Sequence, residues 1–99
     1  MDRYSVYPTN SLYNSLEKIL TYKVEKSKTN TGAIAFREKI FTAIENLETF
    51  PLSGKKVPSG YAKIVNGHFL IYRVDTAKKV VYVVRVIDPT QDTNARKYL

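Results

Sequence analysis

The sequence predicts an α+β fold with the order β-α-α-β-β-β, in which a two-helix hairpin packs on one face of a mostly antiparallel four-stranded sheet and a short tail follows. Three observations carry this prediction. Leu12, Leu16, Ile19 and Leu20, then Phe36, Ile40, Ala43, Ile44 and Leu47, recur at helical spacing and mark two amphipathic helices. Asn66-Gly67 stands between two β-rich runs, the strongest short hairpin signal, because a type I′ turn needs positive φ at both central residues. Val80 to Ile87 is almost unbroken in β-branched and aromatic residues, as expected of a strand inside a sheet rather than at its edge.

Arg3 to Tyr7, with Tyr4, Val6 and Tyr7, reads as a short strand ended by Pro8. The first helix starts after an N-cap at Thr9 or Asn10 and runs to the break "SKTNTG". The second spans Ala33 to Thr49 and stops at Phe50-Pro51, since proline disfavours the helical conformation at the residue before it. Two such helices cannot bury both apolar stripes in each other alone, so a second layer is required. After the loop "PLSGKKVPSG", the runs Tyr61 to Val65, Phe69 to Val74 and Val80 to Ile87 supply it as a three-strand meander, with "DTAKK" as the second reversal. The tail "TNARKYL" suits one or two helical turns. No repeat or linker divides the chain, and 99 residues suffice for one domain, 1–99.

Composition removes several function classes. With no cysteine and a single histidine, His68, there is no thiol nucleophile, Cys-based zinc site or Cys-His pair. There is also no P-loop, Gly-rich dinucleotide turn, paired-carboxylate motif or metal-ligand spacing, so neither cofactor nor metal is expected. The N-terminus lacks an apolar signal core and no stretch approaches a membrane span, so the reading is a soluble, cytoplasmic protein without a membrane partner. The net charge of +7 is uneven: residues 1–54 hold seven basic against six acidic residues, and residues 55–99 hold nine against three. That asymmetry points to an anionic partner, either nucleic acid or an acidic protein surface; a merely basic, solvated surface is the plainer alternative.

Regular alternation puts Arg73 with Phe69 and Ile71 on one side of its strand, and Arg85 with Val81, Val83 and Ile87 on one side of the last. Each arginine thus sits among apolar neighbours. Arginine does not give up its proton, so Arg85 calls for an internal carboxylate (Asp75, Asp88, Asp92 or a helix glutamate), an external anion or partner, or a snorkelling path to water. His68, just past the Asn-Gly turn, is expected to be a solvent-exposed turn residue, with general-base service as the alternative. Lys55, Lys56 and Lys63 are placed to meet phosphates, or simply to be solvated. The eight tyrosines suit base stacking and a β-rich core equally.

In sequence order, "YSVYP", "AIENLETFPLSGKKV", "AKIVNGHFLIYRVD" and "VVYVVRVIDPTQD" together resemble the RelE/ParE superfamily of toxins from bacterial type II toxin-antitoxin modules, over nearly the whole chain. The resemblance implies one of two activities. RelE-like members cleave messenger RNA, commonly at the ribosome, with basic residues and a histidine or tyrosine; here that reading falls on an atypical set, Lys63, His68, Arg73 and Arg85, with Lys63 where nuclease members often have arginine. ParE-like members inhibit DNA gyrase without being known as nucleases. The ending "RVIDPTQD" is similar to the ParE type, and it lacks the basic and aromatic groups that RNA cleavage wants after the last strand. The expectation is therefore a ParE-like, non-enzymatic inhibitor of gyrase, with an mRNA endoribonuclease as the alternative and a non-toxic, antitoxin-binding relative as a third reading. Target or anion contacts are expected at Lys55, Lys56, Lys63, Arg73, Arg85, Gln91 and Lys97. In every case the resemblance implies a cognate acidic antitoxin that folds on the toxin to form a hetero-oligomer.

Overall fold

The computed structural model of the chain describes residues 3–89. Seven elements follow in order: β1 (Ser5–Pro8), α1 (Asn10–Ser27), α2 (Thr31–Asn46), β2 (Lys55–Val57), β3 (Gly60–Val65), β4 (His68–Asp75) and β5 (Val80–Ile87). The strands form one sheet in the order β1-β5-β4-β3-β2, parallel between β1 and β5 and antiparallel elsewhere. The sheet has five strands rather than the expected four. The extra one, β2, lies in the segment read from sequence as a loop, and it pairs Lys55 with Ala62 and Val57 with Gly60. Three residues of which two are lysine give no strand period, and lysine on a short outermost strand is what discourages pairing with another chain.

The helices start and stop as local chemistry dictates. Thr9 caps α1, its Oγ1 accepting from the Leu12 N–H at 3.2 Å while also donating to the Val83 carbonyl at 2.9 Å. The same residue therefore sets the helix start and ties it to β5. The end of α1 is a left-handed Lys28, φ 63°, whose N–H returns to the Val24 carbonyl at 2.8 Å. α2 covers Thr31–Asn46, two residues earlier at its start and three at its end than the apolar spacing suggests. The Asn66-Gly67 turn has φ 51° and 79°, the positive pair expected of it.

Both helices lie on one face of the sheet. Leu12, Leu16 and Ile19 of α1 and Phe36, Ile40 and Ile44 of α2 meet Leu70 and Tyr72 of β4 and Val81, Val83 and Val86 of β5 in one buried cluster. At about 1.5–3 kcal/mol for each fully buried large side chain, this cluster is the main source of stability. β5 is interior, flanked by β4 and β1, in keeping with its apolar sequence. The β1 pairing reaches only as far as Val83. Beyond it α1 takes over, Ser15 Oγ accepting from the Val86 N–H at 3.0 Å, so this backbone donor stays satisfied where the strand partner ends.

Candidate functional site

The site is best built from one irregularity. Along β4 and β5, Ile71 pairs with Arg85 and the next β4 residue, Tyr72, pairs with Val83, so Val84 has no counterpart: β5 carries a β-bulge. Regular alternation would put Val81, Val83, Arg85 and Ile87 on one side. With the bulge, Val81, Val83 and Val86 face the helices, and Arg85 leaves the core side. The sequence expectation of an arginine enclosed among apolar residues is corrected for both residues: Arg73 and Arg85 are exposed.

The face away from the helices then reads in rows across the strands. One row joins Lys55, Ala62, Ile71 and Arg85; next to it Val57 pairs with Gly60, and Arg73 pairs with Tyr82 and through it lines up with Tyr7. Its centre is a small second apolar cluster of Val57, Ala62, Ile71 and Ile87, edged by Phe69. Around it stand three exposed cations, Lys55, Arg73 and Arg85. Gly60, with φ 141°, leaves room for the Arg73 stem, since a Cβ built there would come within 3.3 Å of Arg73 Cγ. On the β1 side, Tyr7 and Tyr82 stack with ring centroids 6.2 Å apart and remain 53% and 42% exposed, so much of both rings faces outward. Asp75, on this face by alternation, sits at its rim, where its Oδ1 accepts from the Lys78 N–H at 3.0 Å.

The remaining predicted residues lie elsewhere. Lys56 pairs with Tyr61 and Lys63 with Leu70, residues of the helix side, so both lysines turn away from Arg73 and Arg85. Lys63 Nζ donates to Ser53 Oγ at 3.3 Å. Gln91, Lys97, Asp92 and the tail "TNARKYL" lie outside the described residues.

His68 is not the exposed turn residue that its position suggested. It is 7% exposed, on the helix side of β4, with its ring centroid 4.4 Å from that of Phe36. Nδ1 is 3.0 Å from the Asn66 carbonyl, and because a carbonyl only accepts, the proton in that contact belongs to Nδ1. Nε2 lies 3.5 Å from Asp88 Oδ2 without hydrogen-bond geometry. The ring is thus built into the packing between hairpin, α2 and the β5 exit. The four residues of the nuclease expectation are divided by the sheet, Arg73 and Arg85 on one side, Lys63 and His68 on the other.

Sequence reasoning missed three residues that shape this face. Val84, as the bulge, re-aims Arg85, and nothing in an unbroken apolar run marks where a bulge falls. Tyr7 and Tyr82 were two among eight tyrosines, and only the parallel register of β1 on β5 brings them together.

Comparison with known proteins now bears on this arrangement. Residues 6–93 match the family model described as the ParE toxin of the type II toxin-antitoxin system, parDE. Among solved structures, the fold is similar to a chain of the chromosomal ParDE toxin-antitoxin system from P. aeruginosa, with TM-score 0.71 and 16% identity over 86% of this chain and 95% of that one. It is also similar to a chain of the toxin-antitoxin complex RelBE2 from Mycobacterium tuberculosis, with TM-score 0.60 and 22% identity over 86% of this chain and 96% of that one. A search of curated proteins finds no match. The family match spans most of the sequence and both structural likenesses share the sheet-and-hairpin fold: the chain belongs to the ParE toxin family of type II toxin-antitoxin systems.

Proposed function

We propose that this protein arrests growth by binding DNA gyrase and that a cognate acidic antitoxin, folding on its surface, neutralises it. The observation that carries the choice of gyrase over RNA is the division of the nuclease set. General acid-base cleavage needs a proton-transfer group and a cation on the same phosphate, within about 3 Å of the atoms they serve. His68 is packed against Phe36 on the helix side while Arg73 and Arg85 point out from the other face. Family membership supports the same reading, since the ParE-like branch is the one associated with gyrase.

An antitoxin partner is supported by the charge of +7 and by the neighbouring structures, both of which come from toxin-antitoxin systems. The helical hairpin offers apolar side chains for a partner to cover, with Tyr13, Tyr22 and Ile34 each more than 40% exposed. A disordered acidic segment that folds on such a surface gains both the apolar burial and the charge complement.

The test has two arms. Expressed alone, the protein is expected to stop growth, and co-expression of the adjacent gene is expected to restore it; normal growth in the first condition would favour a non-toxic relative that only binds its antitoxin. In vitro, supercoiling by purified gyrase is expected to fall with added protein. Unaffected supercoiling at stoichiometric excess, together with new 5′ ends in transcripts from induced cells, would overturn the gyrase reading in favour of RNA cleavage.

A further inference from the structure

We infer that the free edge of β3 at Ile64 accepts an extended acidic peptide segment as a sixth strand of the sheet, with an apolar residue opposite Ile64 and a carboxylate on either side of it. This goes beyond the gyrase proposal and does not depend on it. β2 pairs Lys55, Lys56 and Val57 with Ala62, Tyr61 and Gly60, whereas β3 continues past that pairing to Val65. Lys63, Ile64 and Val65 therefore have β4 on one side and no described strand on the other. Val65 and His68 flank the two-residue Asn66-Gly67 turn, which makes them the hydrogen-bonded pair that closes the hairpin, and bonded pairs alternate along an antiparallel ladder. Ile64 thus turns its N–H and C=O away from β4, toward the edge that β2 leaves uncovered. An open edge of this kind is a template for another strand.

The side chains around the edge dictate what that strand must carry. Residues directly opposite across a ladder share a face, so a partner residue opposite Ile64 lies beside Ile64 and Phe69 on the face away from the helices. Ile64 is 70% exposed, more than any other large apolar side chain among the described residues, and an apolar partner there removes it from water. A groove lined by Gly54, Lys55, Ala62 and Phe69 receives that side chain. The residues before and after it fall opposite Lys63 and Val65, on the helix side, where a second groove runs between β3 and α2. Lys39 and Lys63 line this second groove with a single carboxylate, Glu38. Their ammonium groups contact neutral oxygens, Asn66 Oδ1 at 3.4 Å and Ser53 Oγ at 3.3 Å, so carboxylates on the added strand supply the counter-charge. The uncovered edge is three residues long, roughly 10 Å, which suits a short segment. A second copy of the chain fits poorly, because it would bring its own Lys39, Lys55 and Lys63 against the same lysines with +7 on each molecule. A phosphate chain fits poorly too, since it offers acceptors but no amide donor for the Ile64 carbonyl.

The test uses the full chain with a fluorescein-labelled peptide of about ten residues that alternates glutamate and valine, read by anisotropy. One control peptide scrambles the order, and a second keeps the order with its central amides N-methylated, which removes the donors an edge strand must offer. The alternating peptide is expected to bind on the order of tenfold more tightly than either control. Hydrogen exchange at the Ile64 amide is expected to slow in the complex. Ile64→Asp and Lys63→Glu are each expected to weaken binding on the order of tenfold, and a thermal melt of each variant checks that it is folded. Absence of binding overturns the proposal. So does equal binding of the scrambled or N-methylated peptide, equally effective competition by oligouridylate, or binding indifferent to Ile64, since the surface would then be a general cationic one. A stable dimer that Ile64→Asp dissociates would also overturn it, by assigning the edge to a second copy.

Discussion

Arg85 stands directly opposite Ile71 across the β4–β5 ladder, on the side of the sheet that the helices leave uncovered. One unpaired residue, Val84, produces this arrangement, because it offsets the alternation of β5 by a single step and leaves Val86 rather than Arg85 against α1 and α2. The strand therefore buries a valine ladder on one side and offers a cation on the other, although its sequence looks too apolar to tolerate one.

The first prediction contrasts the residues on either side of that switch. Arg85→Ala removes an exposed side chain and is expected to cost less than about 1 kcal/mol. Val86→Lys forces an ammonium into a position only 3% exposed and is expected to cost more than about 4 kcal/mol, enough to unfold most of a marginally stable chain of this size. Urea denaturation of both variants measures the difference. If Arg85→Ala proved as damaging as Val86→Lys, the bulge would be misplaced.

How far the fold could be read from sequence follows from the same residues. The helical faces, the Asn-Gly hairpin and the interior position of β5 were legible, because each rests on a local period or on a backbone requirement carried by one or two residues. Strand β2 was not, since Lys55-Lys56-Val57 is held by pairing with β3 and has no period of its own. The bulge was invisible for a related reason: a run of valines satisfies either face, and only the β4 register selects which residue is left over. At the candidate site, Lys55, Arg73 and Arg85 were named together with Lys56 and Lys63, but the register divides that set between the two sides of the sheet. His68 was misjudged because turn position suggested exposure, whereas its ring reaches back over Phe36.

The second prediction concerns that histidine. His68→Leu keeps an apolar body against Phe36 and gives up the contact with the Asn66 carbonyl, which is expected to lower stability by about 1–2 kcal/mol. Toxicity per folded molecule is expected to persist, because the ring belongs to the packing of the helix side. Growth assays run alongside thermal melts separate the two effects. Loss of toxicity in a variant that melts like the parent would assign His68 a chemical role and revive the nuclease reading.

Tyr72 gives a third prediction, in alkaline solution. Its ring is fully buried and its hydroxyl oxygen accepts from the Gly54 N–H at 2.9 Å. Burial raises the pKa of this phenol above the ordinary 10.0, against the opposing pull of the Gly54 hydrogen bond. The folded state therefore holds the phenolic proton more tightly than the unfolded state. The resulting stability is complete below about pH 10 and is lost as pH rises through the folded-state pKa, at no more than about 1.4 kcal/mol per pH unit for one proton. Tyr72→Phe is expected to be less stable at neutral pH by about 1–2 kcal/mol, since the Gly54 donor loses its acceptor, and to show a shallower decline above pH 10. Urea titrations of the two proteins between about pH 8 and 11.5 test this, and parallel curves would contradict it.

A pair of glycines provides the last prediction. Gly60 has φ 141°, and a Cβ there would collide with the Tyr72 carbonyl oxygen as well as press on Arg73 Cγ. Neither the backbone conformation nor the space can accept a side chain, because φ is positive and the β4 backbone at Tyr72 lies against this point. Gly32 lies in α2 with nothing within 4 Å of its would-be Cβ. Gly60→Ala is expected to cost about 2–4 kcal/mol, whereas Gly32→Ala is expected to stabilise by about 0.5–1 kcal/mol by favouring the helix. The same methyl group thus carries opposite signs at two positions. Chemical denaturation ranks the stabilities. Equal tolerance at both glycines would show that β3 does not approach Arg73 as described.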